Sequence, residues 1–243
     1  MTSLGRDLDI SVVVLCYRAE ELVPAFVARL KDALEKRGLA YEVVLVANYH
    51  AGSRRPDRTP EIVRDLARHD PTLTAVARPK EGMMGWDMRT GLALAQGARV
   101  VVIDGDGQMP AIDVVTVYDC LETGGFDMAM TFRQERHDGA TRLFVSRVYN
   151  ALLKLLFPSV SVRDANSKPK IFTRAALRQL HLTSDDWFID AEIVIQASEV
   201  GFRIGEVPTT FFANPLRASF IGVGTLFEFF AHLVRYRLQH WWH

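Results

Sequence analysis

The chain has 243 residues, enough for a sizeable core in one large domain or two small ones. Its 49% hydrophobic and 24% charged residues are those of a folded soluble protein, and 29 basic against 29 acidic residues leave no global field that would draw nucleic acid. Cys16 and Cys120, without metal-ligand spacing, exclude a disulfide scaffold and suit a reducing compartment. The N-terminal stretch MTSLGRDLDI lacks the apolar core of a signal peptide, and no run reaches the ~18 apolar residues of a membrane span, so a cytoplasmic protein is expected.

In chain order, DISVVVLCY reads as a buried strand. EELVPAFVARLKDALEKRG follows with helical spacing of Leu22, Phe26, Leu30 and Leu34, and Gly38 stands where a C-terminal cap belongs. YEVVLVANY is a second strand, and TPEIVRDLARH a second helix with Pro60 in its first turn. TLTAVAR, GWDMRTGLALAQG, RVVVID, PAIDVVTVYDCLETG and FDMAMTF continue the alternation as strand, helix, strand, helix and strand. The pattern predicts an α/β fold with a mostly parallel sheet covered on both faces. ATRLFVSRVYNALLKLLF is an amphipathic helix, DANSKPKIFT a loop entering a strand, and DDWFIDAEIVIQASEVG a helix ending at Gly201. FRIGEVPTTFF is a strand whose Pro208 places it at an edge or an end. GTLFEFFAHLVRYRLQHWWH closes the chain as a helix with an apolar stripe from Leu226 to Trp241. No flexible linker divides the chain, so one domain is expected over 1–223, its donor half about 1–130 and its acceptor half about 131–223, followed by the terminal helix 224–243. That helix reads three ways: packed on the domain, lying on the inner face of a membrane, or covering a partner subunit.

The segment ARVVVIDGDGQMP carries the sharpest chemical signal. Asp104 and Asp106 stand at the exit of a buried strand, where open α/β sheets bind ligands. Residues i and i+2 of an extended segment point to one side, so both carboxylates could share a hard cation, Mg²⁺ or Mn²⁺. The competing reading is a polar Asp-Gly turn.

The order of motifs resembles family 2 glycosyltransferases of the GT-A fold, a Rossmann-like sheet flanked by helices, and within them the dolichyl-phosphate mannosyltransferase-like branch. VVVLCYRAEE is similar to that family's first strand and loop, and EGMMGWDMRTGLALAQGARVVVIDGDGQMP to its Gly-rich loop, helix, strand and Asp-x-Asp. DANSKPKIFTR is similar to its Asp-led loop, and WFIDAEIVIQASEVGFRIGEVPTTF to its acidic helix and following strand. The resemblance implies a nucleotide-diphosphate sugar donor held by Cys16, Tyr17, Glu20, Asn48, Gly82, Gly85, Arg89, Asp104, Gly105 and Asp106, with the metal on Asp104, Asp106 and Gln108. Gly82 and Gly85 read as letting the backbone approach the donor. The family's second strand usually ends in carboxylates; here Ala47 and Asn48 stand there, and Asn48 reads as an uncharged base reader. The later Gly-x-Ser segment appears only as NPLRAS, with Arg217 and Ser219.

For the acceptor, Arg133, Arg136, Arg142 and Arg147 cluster between the fifth strand and the next helix, with Lys168 and Lys170 beyond. Such cations suit an anion, and a polyprenyl phosphate fits. An ionised phosphate needs no strong base; a hydroxyl of a soluble or lipid acceptor would, and Asp190 and Glu192 are the candidates, with Arg133 beside them. Asp185 and Asp186 in TSDDW fit a helix N-cap, Asp186 also a catalytic role. The expected activity is inverting, metal-dependent glycosyl transfer, with a non-catalytic nucleotide-sugar-binding protein as the contrasting class. The oligomeric state is not legible.

Overall fold

The computed structural model describes residues 7–52, 57–136, 140–213 and 223–240. The elements are β1 (Ile10–Leu15), α1 (Leu22–Lys36), β2 (Tyr41–Val46), α2 (Thr59–His69), β3 (Leu73–Val76), α3 (Met84–Leu94), β4 (Arg99–Asp104) and α4 (Asp113–Gly124). They continue as β5 (Met128–Arg136), α5 (Ala140–Leu156), β6 (Lys170–Thr173), α6 (Arg174–Leu177), α7 (Ile189–Val200), β7 (Ile204–Phe211) and α8 (Val223–His240).

One sheet holds all seven strands in the order β3-β2-β1-β4-β6-β5-β7. β2 and β4 flank β1 in parallel, β3 adds to β2 in parallel, β6 is antiparallel to both neighbours, and β7 runs parallel to β5. Every residue of β1 is buried, as an apolar strand between two helical layers must be. Alternate residues feed opposite cores: Val13, Val44, Val100 and Val102 pack on one face, Val12, Val14, Val43 and Val101 on the other. The chain leaves β1 to build outward through β2 and β3, then returns to pair β4 on the other side. That reversal opens a crevice beyond the carboxyl ends of β1 and β4.

The sequence pattern and the structure agree on most elements. Gly38 caps α1 with φ +73°, and its N–H donates to Glu35 O at 2.9 Å. β7 is an edge strand, as Pro208 requires. Three details differ. β2 ends at Val46, and Tyr49 keeps only an isolated bridge to Pro79. α7 starts at Ile189 rather than Asp185, so neither Asp185 nor Asp186 is its N-cap residue; Phe188 is. The four-residue α6, capped by Thr173 Oγ1 accepting from the Ala176 N–H, has too little periodicity to be read from sequence.

α8 packs on the domain at its middle. Leu233 and Tyr236 are buried, with the Tyr236 ring 5.1 Å from that of Phe188 and 6.1 Å from that of Phe157. Among the described residues, no helix is long and apolar enough to cross a membrane.

Candidate active site

The crevice brings together the ends of β1 and β4. Leu15 pairs with Asp104, and the Gly105 N–H donates to Leu15 O at 2.9 Å. A Cβ on Gly105 would lie 2.8 Å from Val14 Cγ1, so glycine is needed for this approach. Asp104 is the last strand residue, but Asp106 lies in the following turn, where its Oδ1 accepts from the Gln108 N–H at 3.0 Å. The extended-strand geometry expected to align the two carboxylates therefore stops at Asp104, and the turn presents Asp106. Both residues are half-buried. Gln108, expected beside the metal, is tied to the end of β7: its Nε2 donates to Phe212 O at 3.0 Å, and the Phe212 N–H donates to the Gln108 backbone O at 2.9 Å. Among the described residues no three His, Cys, Asp or Glu side chains gather as a complete cage. Two hard carboxylates nevertheless fit a dication whose remaining shell comes from diphosphate oxygens and water.

Behind Asp104 lies a buried charge network. Lys168 Nζ sits 3.4 Å from Asp104 Oδ2 and 2.9 Å from Asp190 Oδ2, and Lys170 Nζ sits 2.5 Å from Asp190 Oδ1. Burial works to raise the Asp190 carboxyl, but the two ammonium groups outweigh it and hold it below the usual carboxylate range. Burial likewise works to lower Lys168, and the carboxylates of Asp104 and Asp190 push it the other way, above the usual lysine value. Burial lowers Lys170. All three were expected as open groups of the site; the structure encloses them, Asp190 as a carboxylate between the two ammonium groups and Lys168 and Lys170 buried beside it.

Glu192 is also enclosed. Its carboxylate accepts from the Thr183 and Ser184 N–H groups at 3.0 and 2.9 Å and from Thr183 Oγ1 at 2.9 Å, which fixes the segment before α7. Arg133 lends its fork to Asp164, Nε to Oδ2 at 2.6 Å and Nη2 to Oδ1 at 2.7 Å, so its bidentate geometry serves this carboxylate instead of an incoming phosphate. Arg147 is exposed on α5. Arg136 ends β5, while its side chain, that of Arg142, and Arg217 and Ser219 altogether lie outside the described residues.

On the donor side, Cys16 is buried, and burial pushes its thiol far up, so it stays neutral. Tyr17 follows it with Lys80 Nζ 4.3 Å above its ring and the His50 ring edge-on at 5.9 Å. The backbone of Arg18 and Glu20 is left-handed, φ 52° and 41°, which for non-glycine residues costs of order 1–3 kcal/mol each and marks the β1–α1 loop as held in a special shape. The Glu20 N–H donates to Thr59 Oγ1 at 3.0 Å, tying this loop to α2.

Asn48, expected as a base reader, has both ends of its amide engaged within the protein. It is buried, its Nδ2 donates to Asp87 Oδ1 at 2.9 Å, and its Oδ1 accepts from the Arg78 N–H at 3.1 Å. Asp87 in turn pairs with Lys80, an ion pair closed from solvent that sequence reasoning missed. The available signal was a carboxylate on the buried side of α3, among Gly85, Met88, Gly91 and Leu92. Gly82 and Gly85 make room for protein rather than ligand. A Cβ on Gly85 would lie 2.4 Å from Ser184 O, and one on Gly82 would lie 3.0 Å from Asp185 Cβ. Arg89 braces the same contact, donating to Thr183 O at 2.6 Å and pairing with Asp185 at 2.8 Å. Asp186 accepts from the Phe188 N–H at 2.8 Å and faces His232 Nδ1 of α8 at 3.1 Å.

A seven-stranded, mostly parallel sheet with flanking helices and an acidic pair at its switch point is the architecture of the GT-A fold. The chain belongs to glycosyl transferase family 2, whose sequence profile matches residues 11–182. It is 32% identical over 125 residues to the glycosyltransferase AglJ of Haloferax volcanii, covering 49% of this chain and 40% of that one. It is 22% identical over 245 residues to the dolichyl-phosphate beta-glucosyltransferase ALG5A of Trichomonas vaginalis, covering 95% and 73%. The chain thus spans less than half the length of AglJ. Among solved structures, glucosyl-3-phosphoglycerate synthase from Mycobacterium tuberculosis, in complex with Mn²⁺, UDP and phosphoglyceric acid, superposes with a TM-score of 0.73 at 20% identity, over 95% of this chain and 78% of that one.

Proposed function

We propose that the chain is an inverting glycosyltransferase that moves a sugar from a nucleotide-diphosphate donor to a phosphate acceptor, a polyprenyl phosphate. The carrying observation is the closed state of Asp190 and Glu192, both engaged by internal partners on every side the network provides. A hydroxyl acceptor needs its proton removed in the transition state, and these carboxylates are held for other work. A phosphate monoester has a second pKa of about 6, by analogy with phosphoserine, and attacks the anomeric carbon already ionised. The similarity to ALG5A, a dolichyl-phosphate beta-glucosyltransferase, supports the same acceptor class.

In this reading Asp106 is the direct metal ligand and Asp104 stands beside it. A bound Mg²⁺ or Mn²⁺ supplies charge stabilisation to the leaving diphosphate. The chain's own residues set the frame: Gly105 brings β4 against β1, and Lys80 with Asp87 and Asn48 fixes the floor under Tyr17. A thermal-shift screen of UDP-, GDP- and dTDP-sugars tests the donor half. At about 100 times its Kd the right donor adds about 2.7 kcal/mol, which for a chain of this size raises Tm by roughly 5–10 °C. One nucleotide class is expected to do so only with Mn²⁺ or Mg²⁺ present. Equal shifts with and without metal would count against the dication.

Membrane association belongs to the same proposal. α5 contains no Asp or Glu, and Phe144 (63% exposed), Arg147, Lys154 and Leu155 (75%) share one face of it at helical spacings. Exposed Phe230, Arg235 and Leu238 lie on α8, which packs against α5. Apolar bodies interleaved with cations suit an anionic headgroup layer. Sedimentation with phosphatidylglycerol vesicles should retain the wild type and lose the Phe144→Glu, Leu155→Glu double variant several-fold. Equal sedimentation of the two would remove this face from the account.

A further inference from the structure

Lys168 is the one member of the buried network that reaches both ways, inward to Asp190 and outward to the acidic pair. Asp190 does not need it to avoid isolation, because Lys170 already holds the other carboxylate oxygen and is the more deeply buried lysine. Lys168, Lys170, Asp190 and Asp104 together sum to zero charge, with only Asp104 open to solvent at 34% of its side chain. A cation 3.4 Å from Asp104 occupies much of the electrostatic role a dication would otherwise take there. Lys168 Nζ also lies 3.6 Å from Met84 Sδ at the start of α3 and is enclosed, so it cannot swing into water to clear the site.

We propose that Lys168 is a positioning residue that keeps Asp104 charge-balanced, so that the dication is taken up with the nucleotide diphosphate on Asp106 and not by the free protein. The inference rests on the metal-dependent reading above and assigns the order of assembly within it. With Asp104 balanced by Lys168, the free protein offers a dication less uncompensated negative charge than the two carboxylates alone would. The diphosphate then supplies the missing anionic oxygens, and metal and nucleotide each strengthen the other's binding. Leaving Asp104 unbalanced would let the dication settle on the two aspartates before any donor arrives.

The test is Mn²⁺ binding, measured by electron paramagnetic resonance and calorimetry, with Mn²⁺ alone and with Mn²⁺ plus UDP or GDP. Wild type should bind Mn²⁺ alone weakly and at least tenfold more tightly with the matching nucleotide. Lys168→Met should tighten Mn²⁺ alone at least tenfold and lose most of the nucleotide's enhancement, while Lys168→Arg should behave as wild type. Asp104→Asn should change wild-type affinity for Mn²⁺ alone less than threefold, yet cancel the gain in a Lys168→Met background. A merely structural lysine would not tighten metal binding when removed. If wild type shows the nucleotide enhancement but Lys168→Met binds Mn²⁺ alone no better, the inference fails and the metal reading stands. No Mn²⁺ uptake by wild type even with UDP or GDP would sink both. Should Lys168→Met not fold, a tenfold loss of Mn²⁺ affinity in Asp104→Asn overturns the inference by itself.

Discussion

Asp106→Ala is expected to abolish the metal-dependent part of donor binding. A dication on a diphosphate contributes several kcal/mol, so its loss should weaken Mn²⁺-dependent affinity by roughly 10²–10³-fold, at about 1.4 kcal/mol per tenfold. The fold should survive, because Asp106 is a half-buried turn residue whose carboxylate accepts the Gln108 N–H. Losing that bond costs about 1 kcal/mol, or roughly 2–4 °C in Tm. Calorimetry of the selected nucleotide sugar, with and without Mn²⁺, reads the first quantity and thermal unfolding the second. Unchanged affinity in the variant would remove Asp106 from the metal site.

The second large effect concerns stability. Asp190→Asn leaves Lys168 and Lys170 as buried cations without their shared carboxylate. Breaking a buried ion network by removing one partner costs about 3–5 kcal/mol, which for a chain of this length lowers Tm by roughly 6–20 °C. The pH dependence has a definite sign. Burial alone would raise the Asp190 carboxyl, but Lys168 and Lys170 outweigh it, so its folded-state pKa lies below the unfolded value of 3.8. Its contribution is therefore fully present above that unfolded value and is lost as pH falls through the lower folded value. Wild type should lose stability on acidification below 3.8, and Asp190→Asn should lack this part of the acid limb. Urea unfolding at neutral pH and across the acid range measures both effects. Equal midpoints for the two proteins at neutral pH would show that the network contributes little.

The division between what the sequence disclosed and what it hid follows the range of the interactions. Strand and helix periods are local, so the alternation, the Gly38 cap and the edge position of β7 could all be read. Asp104 ends a run of four buried residues, Val100 to Ile103, and its place at a strand exit followed from that run. Side-chain pairing is not local. Asp190 meets lysines 20 and 22 positions away, Arg133 meets Asp164 31 away, and Asn48 meets Asp87 39 away. Each of these residues has the chemistry of a ligand-binding group, and only the folded chain shows that a partner within the protein has taken it. Gly82 and Gly85 teach the same point in steric terms: small residues were needed for a close approach, and the approaching groups are the Trp86 and Asp185 side chains at Gly82 and the Ser184–Asp186 backbone at Gly85.

The choice of acceptor, phosphate or hydroxyl, is tested directly by one comparison. The protein is incubated with Mn²⁺, the nucleotide sugar selected by the thermal-shift screen, and either a short-chain polyprenyl phosphate or the corresponding polyprenol. Initial rates of glycolipid formation are then measured. With Asp190 and Glu192 held by their internal partners, the phosphate should be glycosylated with its anomeric configuration inverted, at least a hundredfold faster than the alcohol. Equal or faster transfer to the polyprenol, or no transfer to the phosphate with any donor that binds, would contradict the phosphate acceptor.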